Sequence, residues 1–248
     1  MVRVAAFLLM TCVALPAQVR VLSYNIHHGE GVDGKINLGR IAAIIRSVKP
    51  DVVALQEVDR KTGRSGGVDQ AEELARLTGL RMIFGRTIDH DGGLYGNAVL
   101  SRLPAKRSAN HPLPGHELRG LIEAGFSDFT FFGTHLDATR DETKRVEGAT
   151  EINRRAAESE APALLAGDLN AVPGSAPMKT LAAAWHIGGE GRELPTIPSR
   201  KPTRQLDYVL YRPADRWKVI EVRVLDEPVA SDHRPIFAVL ELLPIRRN

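Results

Sequence analysis

The chain has 248 residues, of which 43% are hydrophobic, 25% charged and 5% aromatic, with 22 glycines, 15 prolines and one cysteine. A chain of this size and apolar content can bury a large core, which excludes intrinsic disorder and a disulfide-stabilised mini-domain. The formal net charge of +3 produces only a weak electrostatic field. Such a charge permits an anionic partner such as nucleic acid but does not establish one.

Residues 1–17 are typical of an export signal. Arg3 precedes a short apolar stretch that ends in small residues at Ala17, which is the order found in signal peptides. The stretch is about 12 residues long and a membrane-spanning helix needs about 20, so we expect no stable membrane span. Two alternatives stay open: a lipoprotein cleavage site at Cys12, which the threonine before it disfavours, and an N-terminal strand that is retained. We expect a periplasmic or secreted protein with one domain, residues 18–248.

Short apolar runs alternate with amphipathic stretches along this domain. Runs that are β-branched or aromatic and bounded by Gly, Pro, Asp or Asn predict strands at Val19–Tyr24, Val52–Val58, Asn97–Ser101, Phe129–His135, Ala163–Gly167, Leu206–Tyr211, Trp217–Leu225 and Pro235–Leu243. Apolar residues three and four apart predict helices at Leu38–Val48, Ala71–Thr78, Asp141–Glu158 and Pro177–Trp185. Strands that are apolar at consecutive positions are expected to be buried on both faces, as in sheets packed between other layers.

Charged residues stand at the ends of these strands or, at one position, inside a strand. The carboxylates are Glu57, Asp168, Asp207 and Asp232. If they converge, burying them without a partner costs several kcal/mol each, and a bound divalent cation offsets that cost. Oxygen ligands without thiols favour Mg²⁺, Mn²⁺ or Ca²⁺ over Zn²⁺. Each residue alone is also compatible with an ordinary strand end or turn, except Asp207, which interrupts an apolar strand.

Seven motifs follow one another along nearly the whole chain: SYN, LQEVD, GNAVLS, GTHLD, AGDLNAVPGS, LDYVL and SDHRPI. In this order they resemble the endonuclease/exonuclease/phosphatase (DNase I-like) superfamily, and most of all its small bacterial metal-dependent hydrolases. The combination of GDLN and SDHRP is specific, whereas THLD alone is not. The resemblance implies an α/β fold, a four-layer α/β/β/α sandwich of two mixed β-sheets flanked by helices, with the site at one edge.

The resemblance also implies metal and phosphate ligands. Glu57 would be the principal metal ligand, with Asn25 beside it and Asp232 bound directly or through water. Asn97 would contact the phosphate, and so would Arg119, although a surface arginine is an equal alternative at that position.

The same resemblance assigns the chemistry to a second group of side chains. Asp168 would orient or deprotonate the attacking water, and Asn170 would fix its geometry. His233 would donate to a phosphate oxygen while Asp207 holds its other ring nitrogen. His135 would protonate the leaving group or hydrogen-bond the phosphate. His27 and His28, which follow the first motif, are further candidates for substrate contact.

These roles imply an exported, divalent-metal-dependent phosphoesterase that hydrolyses a phosphodiester by in-line attack of an activated water. The short chain favours a small or lipid-linked substrate. A secreted non-specific endonuclease acting on DNA or RNA is the alternative, because nucleases gain affinity from many phosphate contacts. A non-catalytic binding module on the same fold is the third possibility. The motifs do not define the exact substrate, the number of metal ions or the oligomeric state.

Overall fold

Twelve strands and four α-helices make up residues 18–245, the part of the chain that this computed structural model describes. The predicted signal, residues 1–17, lies outside the described residues. The strands are β1 (Gln18–Asn25), β2 (Val52–Arg60), β3 (Arg81–His90), β4 (Gly93–Ser101), β5 (Arg107–Leu113), β6 (Arg119–Gly125), β7 (Thr130–His135), β8 (Ala163–Asp168), β9 (His186–Ile187), β10 (Asp207–Arg212), β11 (Trp217–Val224) and β12 (Ile236–Leu242). The helices are α1 (Leu38–Val48), α2 (Gln70–Thr78), α3 (Thr143–Ala157) and α4 (Ala176–Ala182).

The strands form two mixed six-stranded sheets that pack face to face. The first has the order β11-β12-β1-β2-β4-β3 and the second β5-β6-β7-β8-β10-β9. Apolar side chains of both sheets form the core between them. Helices α1 and α2 cover the outer face of the first sheet, and α3 and α4 cover the outer face of the second. The predicted four-layer α/β/β/α sandwich is therefore confirmed.

The central strands are buried on both faces, as their consecutive apolar residues predict. In β2, Val52 and Ala54 face the second sheet, whereas Val53 and Leu55 face the helices. Adjacent residues of a strand point to opposite faces, so an unbroken apolar run requires a layer on each side.

The helices lie close to their predicted bounds because local signals set their ends. Helix α1 begins after Asn37, whose side chain accepts a hydrogen bond from the Arg40 amide at 3.1 Å, an N-cap. It ends at Val48, because the next residue, Lys49, has a left-handed backbone and precedes Pro50. Helices α3 and α4 are both shorter than their patterns predict. No helix of the described part is long and apolar enough to cross a membrane.

Four strands are absent from the sequence prediction, and a fifth is longer than expected. Strands β3 and β5 lie at sheet edges, where few side chains are buried, so their sequences lack the apolar runs of central strands. Strand β6 includes two glycines, and β9 has two residues. The strand predicted at Asn97–Ser101 is the buried half of β4, which forms a hairpin with β3.

The strand directions bring the polar ends to one edge of the sandwich. Parallel β1 and β2 end together, with Asn25 paired to Gln56. In the second sheet, His135 of parallel β7 pairs with Asp168 of β8, and Asp207 pairs with the same residue from antiparallel β10. Residues far apart in sequence therefore meet because strand ends coincide.

Candidate active site

Asn25 connects the polar groups of the two sheets. Its side-chain amide donates to Glu57 Oε1 at 2.8 Å and to Asp168 Oδ2 at 3.1 Å. The Ser231 hydroxyl donates to the Asn25 carbonyl at 2.7 Å and fixes the end of β1. The first sheet thus supplies Asn25 and Glu57 to a site that is completed by Asp168 of the second.

A β-bulge in β2 directs Glu57 toward this site. The register of β2 against β4 shifts between Leu55 and Val58, and Glu57 has a φ of 58°. A left-handed backbone at a non-glycine residue costs on the order of 1 kcal/mol and is concentrated at functional positions. The bulge turns the Glu57 side chain out of the regular alternation of the strand.

Asp168, His233 and Asp207 form a buried chain of acid, imidazole and acid. His233 Nδ1 donates to Asp207 Oδ2 at 2.8 Å, and His233 Nε2 lies 3.7 Å from Asp168 Oδ2. All three are at most 4% exposed. One ligand atom from each lies within 4.8 Å of the others, a spacing that suits a divalent ion when the His233 ring is neutral.

Burial and mutual charge shift the proton affinities of this group. Burial favours the neutral imidazole, but the carboxylates of Asp207 and Asp168 outweigh it and raise the pKa of His233 to about 10. Burial and the Asp207 carboxylate raise the pKa of Asp168 to about 7, against the opposing effect of the His233 cation and the hydrogen bonds from Asn170 and Asn25. At neutral pH His233 is therefore an imidazolium, and Asp168 is poised to accept a proton.

His135 and Asn170 complete the second sheet's contribution. The Asn170 amide donates to His135 Nε2 and to the Leu136 carbonyl, both at 3.0 Å, and the Asn170 backbone N–H donates to Asp168 Oδ1 at 2.8 Å. Burial, followed by the charges of Arg119 and His233, holds the pKa of His135 well below its usual range. His135 is therefore neutral, and its 3.5 Å approach to Asp168 is not an ion pair.

Three predicted residues make no hydrogen bond to this cluster. The Asp232 carboxylate accepts from the Ser231 hydroxyl at 3.3 Å. Asn97 is buried and donates to the Gly120 carbonyl at 3.0 Å, which connects the sheets beneath the site. Arg119 is 8% exposed and pairs with Glu117 at 3.0 Å, so it is not a surface arginine. Their predicted roles in metal and phosphate binding stay predictions.

His27 and His28 lie beside Glu57, and sequence reasoning did not connect them with it. One ligand atom from each of the three lies within 4.8 Å of the others. The histidines occupy a 3-10 turn directly after β1, at φ of 45° and 43°. The HHGE run is the sequence feature that could have indicated this contact. Residue types predict neither the bulge at Glu57 nor the left-handed turn.

The donor set fits a divalent cation. The carboxylates of Glu57 and Asp168 both accept from the Asn25 amide, and that of Asp207 contacts His233. The imidazolium of His233 offsets only part of their combined charge. Asp207 Oδ1 is buried without a hydrogen-bond partner, a state that costs free energy unless a positive group compensates it. Chemically, the arrangement can activate a water at Asp168 and donate from His233 to an anionic oxygen.

Known proteins share this architecture over most of the chain. A profile of the Endonuclease/Exonuclease/phosphatase family matches residues 22–233. The uncharacterized protein YbhP of Escherichia coli strain K12 is 27% identical over 244 residues, which cover 90% of this chain and 96% of YbhP. The structure of an endonuclease/exonuclease/phosphatase from Beutenbergia cavernae DSM 12333 is 26% identical, with a TM-score of 0.72 over 91% of this chain and 72% of that chain.

A family protein from Bacteroides thetaiotaomicron is 19% identical, with a TM-score of 0.78 over 93% of this chain and all of that chain. Its likeness shows the fold alone, whereas the family profile also includes the polar strand ends from β1 to His233. The chain therefore belongs to the endonuclease/exonuclease/phosphatase family, and it is a metal-dependent hydrolase of phosphoester bonds.

Proposed function

We propose that the protein is an exported phosphodiesterase that uses Mg²⁺, Mn²⁺ or Ca²⁺ to hydrolyse a small or lipid-linked phosphodiester. The observation that carries the substrate class is the apolar character of the loops next to the site. Of the seven large apolar side chains exposed in the described residues, four lie on loops that carry or adjoin predicted site residues: Ile36, Leu118, Val172 and Val229.

Three of these side chains are close to the site in sequence or through a backbone contact. Leu118 immediately precedes Arg119, Val172 follows Asn170 by two residues, and the Val229 carbonyl accepts from Val32 in the loop after β1 at 2.9 Å. Apolar side chains that are exposed beside a polar site are suited to contact an apolar part of a ligand. A substrate with an anionic diester and an apolar portion would match both the polar centre and these loops.

The arginines around the site favour this class over nucleic acid. The Arg64 guanidinium donates two hydrogen bonds to the Asp59 carboxylate, both at 2.8 Å. Arg60 forms a salt bridge with Asp69 at 2.7 Å, and Arg119 forms one with Glu117. Nucleic-acid backbones are bound through cations that are free to neutralise phosphates. Cations already neutralised by carboxylates support that binding poorly.

The proposed mechanism assigns one task to each polar group of the site. Glu57 and Asn25 would hold the ion, with Asp232 direct or through water, and the ion when bound would polarise phosphate and leaving-group oxygens. Asp168 would take the proton of the attacking water, its carboxylate fixed by the Asn170 backbone.

His233 and His135 would act on the phosphate. The His233 imidazolium would donate to a nonbridging oxygen while Asp207 keeps the ring charged and oriented. Neutral His135 suits a hydrogen bond to phosphate better than a general acid, because its pKa is well below its usual range. Export is the remaining part of the proposal, and the pattern of residues 1–17 supports it.

A substrate panel with a matched variant tests the proposal. We expect hydrolysis of a bis-aryl phosphate and of phospholipid vesicles, with little action on an aryl monophosphate. The double variant L118S/V172S should lose phospholipid turnover and keep bis-aryl phosphate turnover, because only the vesicle contacts the apolar loops. Ile220→Ser, on the exposed face of β11, is the control. Rapid, salt-sensitive nicking of plasmid DNA with no phospholipid turnover would contradict the proposal and favour the nuclease.

A further inference from the structure

His27 and His28 have no task in the proposed mechanism, yet they face the carboxylate that would hold its ion. Their ring atoms and the Glu57 carboxylate come within 4.8 Å of one another. All three residues have a left-handed backbone, so the chain departs from regular geometry at each of them. His28 is 8% exposed, and its Nδ1 is buried without a hydrogen-bond partner.

Glu30 binds one ring nitrogen of each histidine. His27 Nδ1 donates to the Glu30 carbonyl at 3.2 Å, and His28 Nε2 donates to Glu30 Oε2 at 3.1 Å. A carbonyl and a carboxylate accept hydrogen bonds, so these contacts place the ring protons on the bonded nitrogens. The lone pairs are left on His27 Nε2 and His28 Nδ1. Metal-binding histidines are held in this way, with the second nitrogen bound to a carbonyl or carboxylate.

The turn that carries the histidines is itself fixed from two sides. The Gln70 side-chain amide donates to the His28 carbonyl at 2.6 Å, and the Ile26 amide donates to the Gln56 carbonyl at 3.1 Å. The second of these contacts joins the turn directly to the bulge of Glu57. The backbone of the turn and of the bulge is thus fixed by contacts that involve neither the imidazole rings nor the Glu57 carboxylate.

We propose that His27, His28 and Glu57 form a site for a transition-metal ion such as Zn²⁺, with Glu30 as the residue that positions both imidazoles. Imidazole nitrogens prefer Zn²⁺ and its neighbours in the first transition row, whereas Mg²⁺ requires oxygen ligands and retains its water. Two histidines and one carboxylate are a common protein ligand set for zinc with an open position for water or substrate. Oxygen ligands alone imply Mg²⁺, Mn²⁺ or Ca²⁺. The two imidazoles shift the preference of this site toward a transition-metal ion.

This inference rests on the proposed function in one respect, that Glu57 holds the ion, but it is tested by binding alone. Metal-free full-length protein is titrated with Zn²⁺ and with Mg²⁺ in a calorimeter, and Co²⁺ absorption spectra report whether imidazoles are ligands. We expect tighter binding of Zn²⁺ than of Mg²⁺. We expect Glu30→Gln to weaken Zn²⁺ binding about 10- to 100-fold, and His28→Asn to weaken it more.

Asparagine suits these positions because it tolerates the left-handed backbone and has no imidazole. His27→Asn is the second variant, and its ring is less buried than that of His28. His186→Asn, an exposed histidine of β9, is the matched control and should bind Zn²⁺ like the unsubstituted protein. Circular dichroism checks that each variant is folded.

Unchanged Zn²⁺ affinity and unchanged Co²⁺ spectra in folded His27→Asn and His28→Asn would overturn the inference, and so would Mg²⁺ affinity equal to that for Zn²⁺. Absence of phosphodiester hydrolysis together with these binding changes would count against the proposed function and leave the metal site standing.

Discussion

At the scale of single residues, the site depends on His233 remaining charged between two buried carboxylates. Its Nδ1 is 2.8 Å from Asp207 Oδ2, and its Nε2 faces Asp168. If His233 lost its proton, the two buried carboxylates would have no imidazolium between them, and burying their charge would cost free energy. The proton on His233 therefore stabilises the folded protein and would also favour binding of an anionic substrate.

The stability of the metal-free protein should fall as pH rises through the titration of His233. The folded-state pKa of His233 is raised from 6.5 to about 10, so its contribution is complete below pH 6.5 and is lost as pH rises to about 10. The free energy of unfolding should decrease by at most about 1.4 kcal/mol per pH unit in that window, as measured by denaturant unfolding. In Asp207→Asn the decrease between about pH 7 and 10 should be smaller. Equal pH profiles for the two proteins would count against the assigned ion pair.

The residue types of the site were predictable in part. Asp207 lies inside an apolar strand, and Asp168 directly follows another apolar strand. Burying either carboxylate costs free energy unless it has a partner, so the sequence alone identifies both as candidate site residues. The side chains that contact one another in the site could not be predicted in the same way. The contact of His27 and His28 with Glu57 requires a bulge and a left-handed turn, and neither has a signature in residue type.

At the scale of elements, close pairing of β7 and β8 positions the groups of the second sheet that are predicted to be catalytic. Thr134 pairs with Gly167 one step before His135 pairs with Asp168. A Cβ at Gly167 would lie 2.1 Å from the Thr134 carbonyl oxygen, which is far inside van der Waals contact. Glycine at this position lets the two strand ends approach.

Gly167→Ala should therefore destabilise the protein and reduce turnover together. We expect a loss of about 1–3 kcal/mol in the free energy of unfolding, as for overpacked interior positions, because the methyl group forces β7 away from β8. Gly39→Ala adds the same group at an exposed position of α1 and should change stability by no more than about 1 kcal/mol. Equal unfolding midpoints for the two variants would show that the strands separate at little cost.

The elements themselves were predictable where burial is two-sided. Helix α1 and strands such as β2 and β8 have apolar patterns that only a packed layer explains. Edge strands β3 and β5 pair through backbone hydrogen bonds while most of their side chains remain partly or fully exposed, so their residue types differ little from those of loops. The four-layer arrangement came from the family resemblance. The order of strands in each sheet was not predicted, since local patterns do not define which strands become neighbours.

At the scale of the whole molecule, the site is a junction between the sheets. Asn25 of β1 reaches Asp168 of β8, and His233, which precedes β12, reaches Asp207 of β10. Neither sheet alone contains both Asp168, which is proposed to activate the water, and the predicted metal ligand Glu57. Hydrolysis should therefore require the intact sandwich, and a change at Asp168 should remove chemistry without removing the fold.

The most direct test of the account is the rate of bis-aryl phosphate hydrolysis by Asp168→Asn with a divalent ion present. We expect the rate to fall about 10²- to 10⁴-fold, the usual contribution of a general base, with an unchanged melting temperature. Asp215→Asn, the same chemical change at an exposed position, should keep the unsubstituted rate, and chelation should abolish that rate until the ion is restored. An Asp168→Asn protein that hydrolyses the diester at the unsubstituted rate, or a chelated protein that stays active, would contradict the account.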